Sequence, residues 1–265
     1  MLIDIFSLND LETDTIRLNA STIKQLFQDT DYKLDDVRET KLVKPVALTL
    51  LPGEIKMIES TKKRKEFFIQ IVLPLVLKEN NNIRLDRKTL FKIINKSNNT
   101  KLEKKWLEKK YKQYGVTSKD LTTLKIRMDE IPVSLALAQA AKETGWGTSR
   151  FAQEGNALFG QWTWINDDGI KPKGNLDANF SVKSFDSLLD SVNSYILNLN
   201  THPAYKELRN FRMSQYNNGK NITGNDMANF LDKYAEIGLE YVTKVKKMIK
   251  KNQLSKYENS SLATF

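Results

Sequence analysis

The chain has 265 residues, of which 40% are apolar, so it is long enough for one or two domains with a sizeable core. It has no cysteine, which excludes disulfides, thiolate catalysis and cysteine-bound zinc. Its one histidine, His202, is not accompanied by a serine nucleophile elbow or an H-E-x-x-H motif, which argues against a catalytic triad or a multi-histidine metal site. We therefore expect neither a metal nor another cofactor.

The net charge of +10 is unevenly distributed and suggests how the chain is organised. Residues 1–40 carry a net charge of −5 and show no strong period, which is typical of an N-terminal arm or linker. Residues 41–130 carry +12 and are predicted to be a basic helical region packed on a core at 131–252, followed by a C-terminal tail at 253–265. A basic face attracts polyanions, so nucleic acid, anionic lipid headgroups and anionic cell-wall polymers all remain open.

The basic region is predicted to be mostly helical. Residues 43–53 indicate an extended segment closed by a Pro-Gly turn. The 3.6-residue spacing of apolar side chains predicts helices over residues 55–79, 84–95, 101–114 and 120–128.

The most apolar part of this region is residues 67–77, which follow a basic cluster at 62–65. This order resembles a signal or an anchor. However, the run is about eleven residues long, which is too short to span a bilayer as a helix, and Gln70 and Pro74 interrupt it. We predict a buried core helix kinked at Pro74, with a membrane anchor as the alternative.

One carboxylate, Glu143, occupies an unusual position. Pro132 suits the first turn of a helix, and the nine residues after it are almost all Ala, Leu and Val, which is typical of a buried helix. Gly145 and Gly147 end that helix, with Trp146 between them. Burial and the negative end of the helix dipole both disfavour the charged form of a carboxyl placed there. A carboxyl that stays protonated near neutral pH is what general acid catalysis needs.

The residues after Glu143 predict one small β element. A short helix is expected at 149–154, and residues 156–165 and 178–185 indicate two strands separated by the turn signal at 166–169. Further helices are expected at 186–200, directly after His202, and at 223–251 with a break near Gly238. The predicted fold class is mainly α (α+β). It is a lysozyme-like helical body with one small β-hairpin lobe, and the hairpin faces the acid across a sugar-sized cleft.

Several ordered motifs surround the acid. The helix ends in Glu143-Thr144-Gly145-Trp146-Gly147, and Asn156-x-Leu158-Phe159-Gly160 follows. These motifs resemble those of the glucosaminidase family of bacterial cell-wall hydrolases, glycoside hydrolase family 73. The Bax-type branch of that family is more similar still, at residues 67–75, 159–162, 185–187 and 199–205. The resemblance covers about residues 32–252 and implies that 131–252 form a glucosaminidase catalytic core.

The resemblance implies an activity and a catalytic acid. The activity is hydrolysis of the β-1,4 bond after N-acetylglucosamine in peptidoglycan, and Glu143 would protonate the glycosidic oxygen as an oxocarbenium-like charge develops. Family members usually carry a second acid on the hairpin. Asp177, directly before the second strand, is the first candidate, whereas Asp167 and Asp168 fit the turn. None of the three lies in a T-x-E-Y match, so assistance by the substrate's own N-acetyl group is the alternative.

The resemblance also implies further site residues. Tyr234-Ala235 and Tyr241 are similar to the family's Y-A-x-D-P-x-Y element, whose first tyrosine belongs to the active site, so Tyr234 is the third predicted catalytic residue. Core packing is its alternative role. The predicted substrate-binding residues are Trp146, Ser149, Asn156, Phe159, Gly160 and Trp162. Each aromatic ring among them is equally typical of a core residue, and Asn156 would bind either local backbone or an N-acetyl group.

We expect peptidoglycan glycan strands as the partner, a monomer, and neither nucleic-acid binding nor an integral membrane segment. That substrate implies a periplasmic or cell-envelope location, although no export signal is visible in the first residues. The alternatives are a non-catalytic cell-wall binding or scaffolding protein with a decayed site, a lytic transglycosylase of the same fold, and a nucleic-acid binder suggested only by the basic segment.

Overall fold

A computed structural model of the protein describes residues 16–163, 169–171 and 181–264. The described helices are α1 (Ala20–Asp29), α2 (Leu34–Thr40), α3 (Thr61–Ile94), α4 (Lys101–Gln113), α5 (Leu121–Arg127), α6 (Val133–Thr144), α7 (Arg150–Gly155), α8 (Leu188–Thr201), α9 (Lys206–Asn217), α10 (Gly224–Met227) and α11 (Leu239–Lys251). The described strands are β1 (Leu42–Val43), β2 (Trp162–Thr163), β3 (Gly169–Ile170), β4 (Ser181–Lys183) and β5 (Ser261–Leu262). The predicted fold class is confirmed: the protein is mainly α, with a small β lobe.

Helix α6 lies at the centre of the body. Ten of its twelve residues are buried, as the alanine-rich sequence predicts. Helices α3, α10 and α11 and the 3-10 turn Leu254–Tyr257 pack around it. The helix ends at Gly145, whose φ of 58° lies in the left-handed region that favours glycine. Glu143 is thus held near the C-terminal end of a rigid, buried element.

Helix α3 is continuous where the sequence predicted two helices, and it is 34 residues long. The polar residues near its middle suggested a break, yet Glu79 and Asn80 are buried. The Asn80 side chain donates to the Ile131 carbonyl at 2.8 Å and accepts from the Ile131 N–H at 3.1 Å. These tertiary hydrogen bonds stabilise Asn80 within the helix, although the intrinsic helix propensity of asparagine is low. Pro74 lies in its buried part, as predicted.

Across the described ranges, no helix combines the length and the apolar composition that crossing a membrane requires.

Both ends of the described chain share the core, where the sequence suggested an arm and a tail. Ile23 and Phe27 of α1 and Val37 of α2 are buried, because the few apolar side chains of these amphipathic helices lie on one face. At the other end, Tyr257 is buried, and β5 pairs in parallel with β1, with Leu42 opposite Ser261. This strand pair was not predicted. Its strands are two residues long, too short to give a period in the sequence.

A residue of the C-terminal segment caps helix α6. The N-cap position is Pro132, which makes no side-chain capping bond. The Glu258 carboxylate instead accepts from the backbone N–H groups of Val133 at 3.1 Å, Ser134 at 3.3 Å and Gly224 at 3.1 Å. Two of these are donors that a helix leaves unsatisfied in its first turn. The start of α6 therefore depends on a residue 125 positions later.

The β lobe is an antiparallel sheet with strand order β2-β4-β3. In the described part of the strand expected at 156–165, β2 holds Trp162 and Thr163, and residues 156–161 precede it. The chain turns before that point, because Asn156 and Gly160 have φ values of 52° and 61°. The turn expected at 166–169 falls mostly outside the described residues.

A buried polar network joins α9 to the loop before α6. The guanidinium of Arg212 donates to the carbonyls of Glu130 at 3.0 Å and Ile126 at 2.9 Å, and to Asn200 Oδ1 at 2.9 Å. Its Nε lies 3.3 Å from Asp129 Oδ2. Burial lowers the pKa of Arg212, and the Asp129 carboxylate opposes that change. A buried charge persists only when it is paired in this way.

Candidate active site

Glu143 has a hydrogen-bonding neighbour that fixes its position. Its side chain is 23% exposed, and Oε1 accepts the hydroxyl proton of Tyr241 at 2.8 Å. Lys142 Nζ lies 3.7 Å from the same oxygen and 4.6 Å from the centroid of the Tyr241 ring. Burial first, and then the Glu143 carboxylate, raise the pKa of Tyr241 far above its ordinary value. Tyr241 therefore keeps its proton and can donate it to Glu143.

A buried chain of hydrogen bonds sets the orientation of the Tyr241 hydroxyl. Tyr195 donates to Gln139 Oε1 at 2.7 Å, and Gln139 Nε2 donates to the Tyr241 oxygen at 3.0 Å. Because that oxygen accepts from Gln139, its single proton is free to point at Glu143. Gln139 and Tyr195 are fully buried, so this chain of hydrogen bonds is shielded from bulk solvent.

Tyr234 belongs to the same cluster but contacts a different group. Its hydroxyl donates to the Phe159 carbonyl at 2.8 Å, and its ring stacks on Tyr241 with centroids 5.2 Å apart. The loop that Phe159 begins then passes the acid. A Cβ on Gly160 would lie 3.4 Å from Glu143 Oε2, and the φ of 61° also favours glycine. Tyr234 thus anchors the loop that lies against Glu143.

A cleft of about 510 Å³ opens beside this cluster, within the size range of ligand pockets. It is lined by residues 159–162, by residues 233–236, and by Asn198, His202 and Tyr205. Trp162 on β2 is 52% exposed and offers an aromatic face of the kind on which sugar rings stack. His202 orders its own loop, because its Nδ1 accepts the Ala204 N–H at 3.2 Å.

Three of the predicted substrate-binding residues have other contacts. Trp146 is buried and packs edge-on against Phe68, with ring centroids 5.9 Å apart. Ser149 caps α7 by accepting a backbone N–H at 3.2 Å. Asn156 donates to the Phe185 carbonyl at 2.8 Å, a backbone group 29 positions away. As far as the described residues define the cleft, none of the three lines it, whereas Phe159, Gly160 and Trp162 do.

The predicted second acid lies outside the described residues. Asp177 falls within residues 172–180, and Asp167 and Asp168 fall within 164–168. Among the described residues that line the cleft, Glu236 carries a carboxylate. The described part of the chain holds no group of three or more side chains arranged to bind a metal.

Sequence reasoning missed Tyr241, Gln139 and Tyr195 as parts of this cluster. Two signals were available. Tyr241 is the second tyrosine of the element that pointed to Tyr234, and Gln139 is a polar residue in an apolar helix, four residues before Glu143 and therefore on the same face. Tyr195 gave no signal, since the apolar face of an amphipathic helix such as α8 commonly buries a tyrosine.

Comparison with known proteins places the cluster in a family. The glucosaminidase family model, described as mannosyl-glycoprotein endo-beta-N-acetylglucosaminidase, matches residues 119–254, which include Glu143, Tyr234 and Tyr241. The chain is also 31% identical over 210 residues to Protein bax of Escherichia coli (strain K12), a match that covers 76% of this chain and 74% of that protein. No solved structure matches significantly. The resemblance inferred from the motifs is thereby confirmed, and the chain belongs to the glucosaminidase family, a family of glycosidase-type enzymes.

Proposed function

We propose that this protein is a peptidoglycan hydrolase that cleaves the β-1,4 glycosidic bond after N-acetylglucosamine, with Glu143 as its general acid. The observation that carries the proposal is the Glu143 carboxylate, oriented by the Tyr241 hydroxyl at 2.8 Å. It lies against Gly160, which lines the cleft, although Glu143 itself is not among the described lining residues. The family supports a glycan substrate of the cell wall. The action of the protein would then lie in the periplasm or elsewhere in the cell envelope.

The acid step requires a carboxyl that gives up a proton as the bond breaks. In the proposed reaction, Glu143 protonates the glycosidic oxygen, the C1–O bond breaks, and the sugar acquires oxocarbenium character. Water then adds to C1, and its proton leaves to a base. Tyr241 is placed to hold the Glu143 side chain in one orientation and to stabilise the carboxylate left after proton transfer.

The second group of the reaction stabilises the positive sugar or activates the water. Asp177 remains our first candidate from the family pattern, and Glu236, which lines the cleft, is a second carboxylate within the described chain. The substrate's own N-acetyl group is the alternative to either residue. Phe159, Gly160 and Trp162 remain the proposed sugar-binding residues, with Trp162 as the stacking surface. Phe159 would contribute through its backbone, because its ring is buried against Tyr195.

The products of digestion test the proposal. Purified sacculi incubated with the protein should release fragments that end in reducing N-acetylglucosamine, and reduction with borohydride followed by mass spectrometry identifies that end. Fragments with 1,6-anhydro ends would identify a lytic transglycosylase instead. Binding to sacculi without any release of fragments, across pH and substrate preparations, would identify a non-catalytic cell-wall protein.

The two tyrosines of the cluster should differ in their effect on turnover. Tyr241→Phe removes a hydrogen bond to a charged group, so we expect kcat to fall about tenfold or more while KM changes little. Tyr234→Phe removes only the bond to the Phe159 carbonyl, and we expect a smaller fall in kcat with a rise in KM as the loop loosens. Steady-state kinetics on solubilised glycan strands measures both effects. A larger fall in kcat for Tyr234→Phe than for Tyr241→Phe would instead indicate that Tyr234 is the catalytic tyrosine.

A further inference from the structure

A second groove, of about 350 Å³, lies on the side of α6 and α11 that carries Trp146. We call it the lysine groove, because the residues around Trp146 and Met248 are Lys65 of α3, Lys142 of α6, Lys244, Lys247 and Lys251 of α11, and Asn252. Its described lining thus holds five lysines and no carboxylate. Such a density of one charge in a small concave site focuses a positive potential.

The lysines converge from three helices. Lys244, Lys247 and Lys251 are spaced three and four residues apart, so they lie along one face of α11 over about 10 Å. Opposite them, Lys65 Nζ lies 4.9 Å from the Trp146 ring centroid and donates to Asn252 Oδ1 at 2.9 Å. Burial lowers the pKa of Lys65, and the positive charges of Lys251 and Arg64 lower it further. An anion in the groove would relieve that repulsion.

The lysine groove is linked to the acid by one residue, Lys142. Lys142 belongs to the groove, and its Nζ also lies 3.7 Å from Glu143 Oε1. Helix α11 begins beside the acid, where Tyr241 donates to Glu143, and carries the groove lysines in its following turns. The groove and the acid are therefore neighbours on the molecule.

We propose that the lysine groove binds the carboxylate-bearing stem peptides of peptidoglycan while the glycan strand lies at Glu143. This inference rests on the proposed function and names the part of the substrate that the groove selects. Lysine ammonium groups suit carboxylates, and the apolar surface of Trp146 and Met248 suits the aliphatic parts of a short peptide. A volume of about 350 Å³ fits a few peptide residues.

Kinetics on two forms of one substrate tests the inference. The first form is soluble glycan strands with stem peptides, and the second is the same strands after an amidase has removed the peptides. We expect Lys247→Gln/Lys251→Gln to raise KM about fivefold on the peptide-bearing strands, with kcat within about twofold and KM on the stripped strands unchanged. The wild-type preference for peptide-bearing strands should also weaken as salt is added.

The matched control is Lys105→Gln/Lys250→Gln, which removes the same charge from exposed positions outside the groove and should behave as wild type. An unchanged KM for the groove variant, or an equal rise on both substrates, would overturn the inference. Calorimetry measures how tightly the two strand preparations bind, and binding needs no cleavage. It therefore distinguishes failure of this inference from failure of the proposed function. A variant that loses affinity for a DNA duplex but keeps its affinity for peptide-bearing strands would assign the groove to nucleic acid and also overturn it.

Discussion

The Glu143→Gln variant is expected to release reducing ends from purified sacculi about a thousandfold more slowly than the wild type, since a lost general acid typically costs a factor of that order. The amide has nearly the same shape as the carboxyl, and its oxygen can still accept the Tyr241 hydroxyl. It has no proton acidic enough to pass to the glycosidic oxygen. The measurement is the initial rate of reducing-end formation, with circular dichroism to show that the variant is folded.

The control for that experiment is Glu240→Gln, because Glu240 is an exposed carboxylate on α11 that pairs with Lys244 at 2.6 Å and lies next to Tyr241 in the chain. Its activity should stay within about twofold of the wild type, as surface ion pairs contribute little. Wild-type activity in the Glu143→Gln variant would remove Glu143 from the mechanism. The variants Asp177→Asn and Glu236→Gln, measured in the same assay, then distinguish the candidates for the second group.

Arg212→Met is expected to lower the free energy of unfolding by about 4 kcal/mol, within the range for breaking a buried ion pair. The substitution leaves Asp129 buried and deprives the carbonyls of Glu130 and Ile126 of their donor. Methionine fills much of the space of the arginine stem, so little cavity is created. The lost stability therefore comes mainly from buried polar groups that lose their hydrogen-bond donor. Urea denaturation followed by tryptophan fluorescence measures the change.

The matched control is Lys206→Met, which makes the same kind of change at an exposed position on the same helix and should alter the free energy of unfolding by less than about 0.5 kcal/mol. Asp129→Asn, combined with Arg212→Met, should recover part of the loss, because the buried Asp129 carboxylate would otherwise keep only its longer pair with Arg87 at 3.5 Å. A loss below about 1 kcal/mol in Arg212→Met would mean that the network contributes little to stability.

Local pattern in the sequence was enough to predict the helix that carries the acid. Pro132, an apolar run and Gly145 define α6 within a few residues, since the signals for its start, burial and end are all local. The motif around Glu143 also led to the family that the comparisons confirm. All of these signals lie within a short stretch of sequence, and periodicity and motif matching are most informative over such a stretch.

What the sequence did not predict depends on contacts between distant residues. Tyr241 meets Glu143 across 98 positions, and Asn80 keeps α3 continuous by bonding to Ile131, 51 positions away. Local propensity does not reveal either contact, because a tertiary hydrogen bond can outweigh the propensity of a single residue. The contacts of Trp146 with Phe68 and of Asn156 with the Phe185 carbonyl were not predicted for the same reason, because packing between distant residues sets them.

The cap that Glu258 supplies to α6 has a consequence for the order of folding during synthesis. A ribosome adds about 5 to 20 residues per second, so several seconds pass between emergence of the acid and emergence of its helix cap. In that interval the first turn of α6 has free N–H groups, and the surface that α11 and the last turns cover is open. A nascent or clipped chain that stops before Glu258 therefore lacks the cap on the helix that carries Glu143.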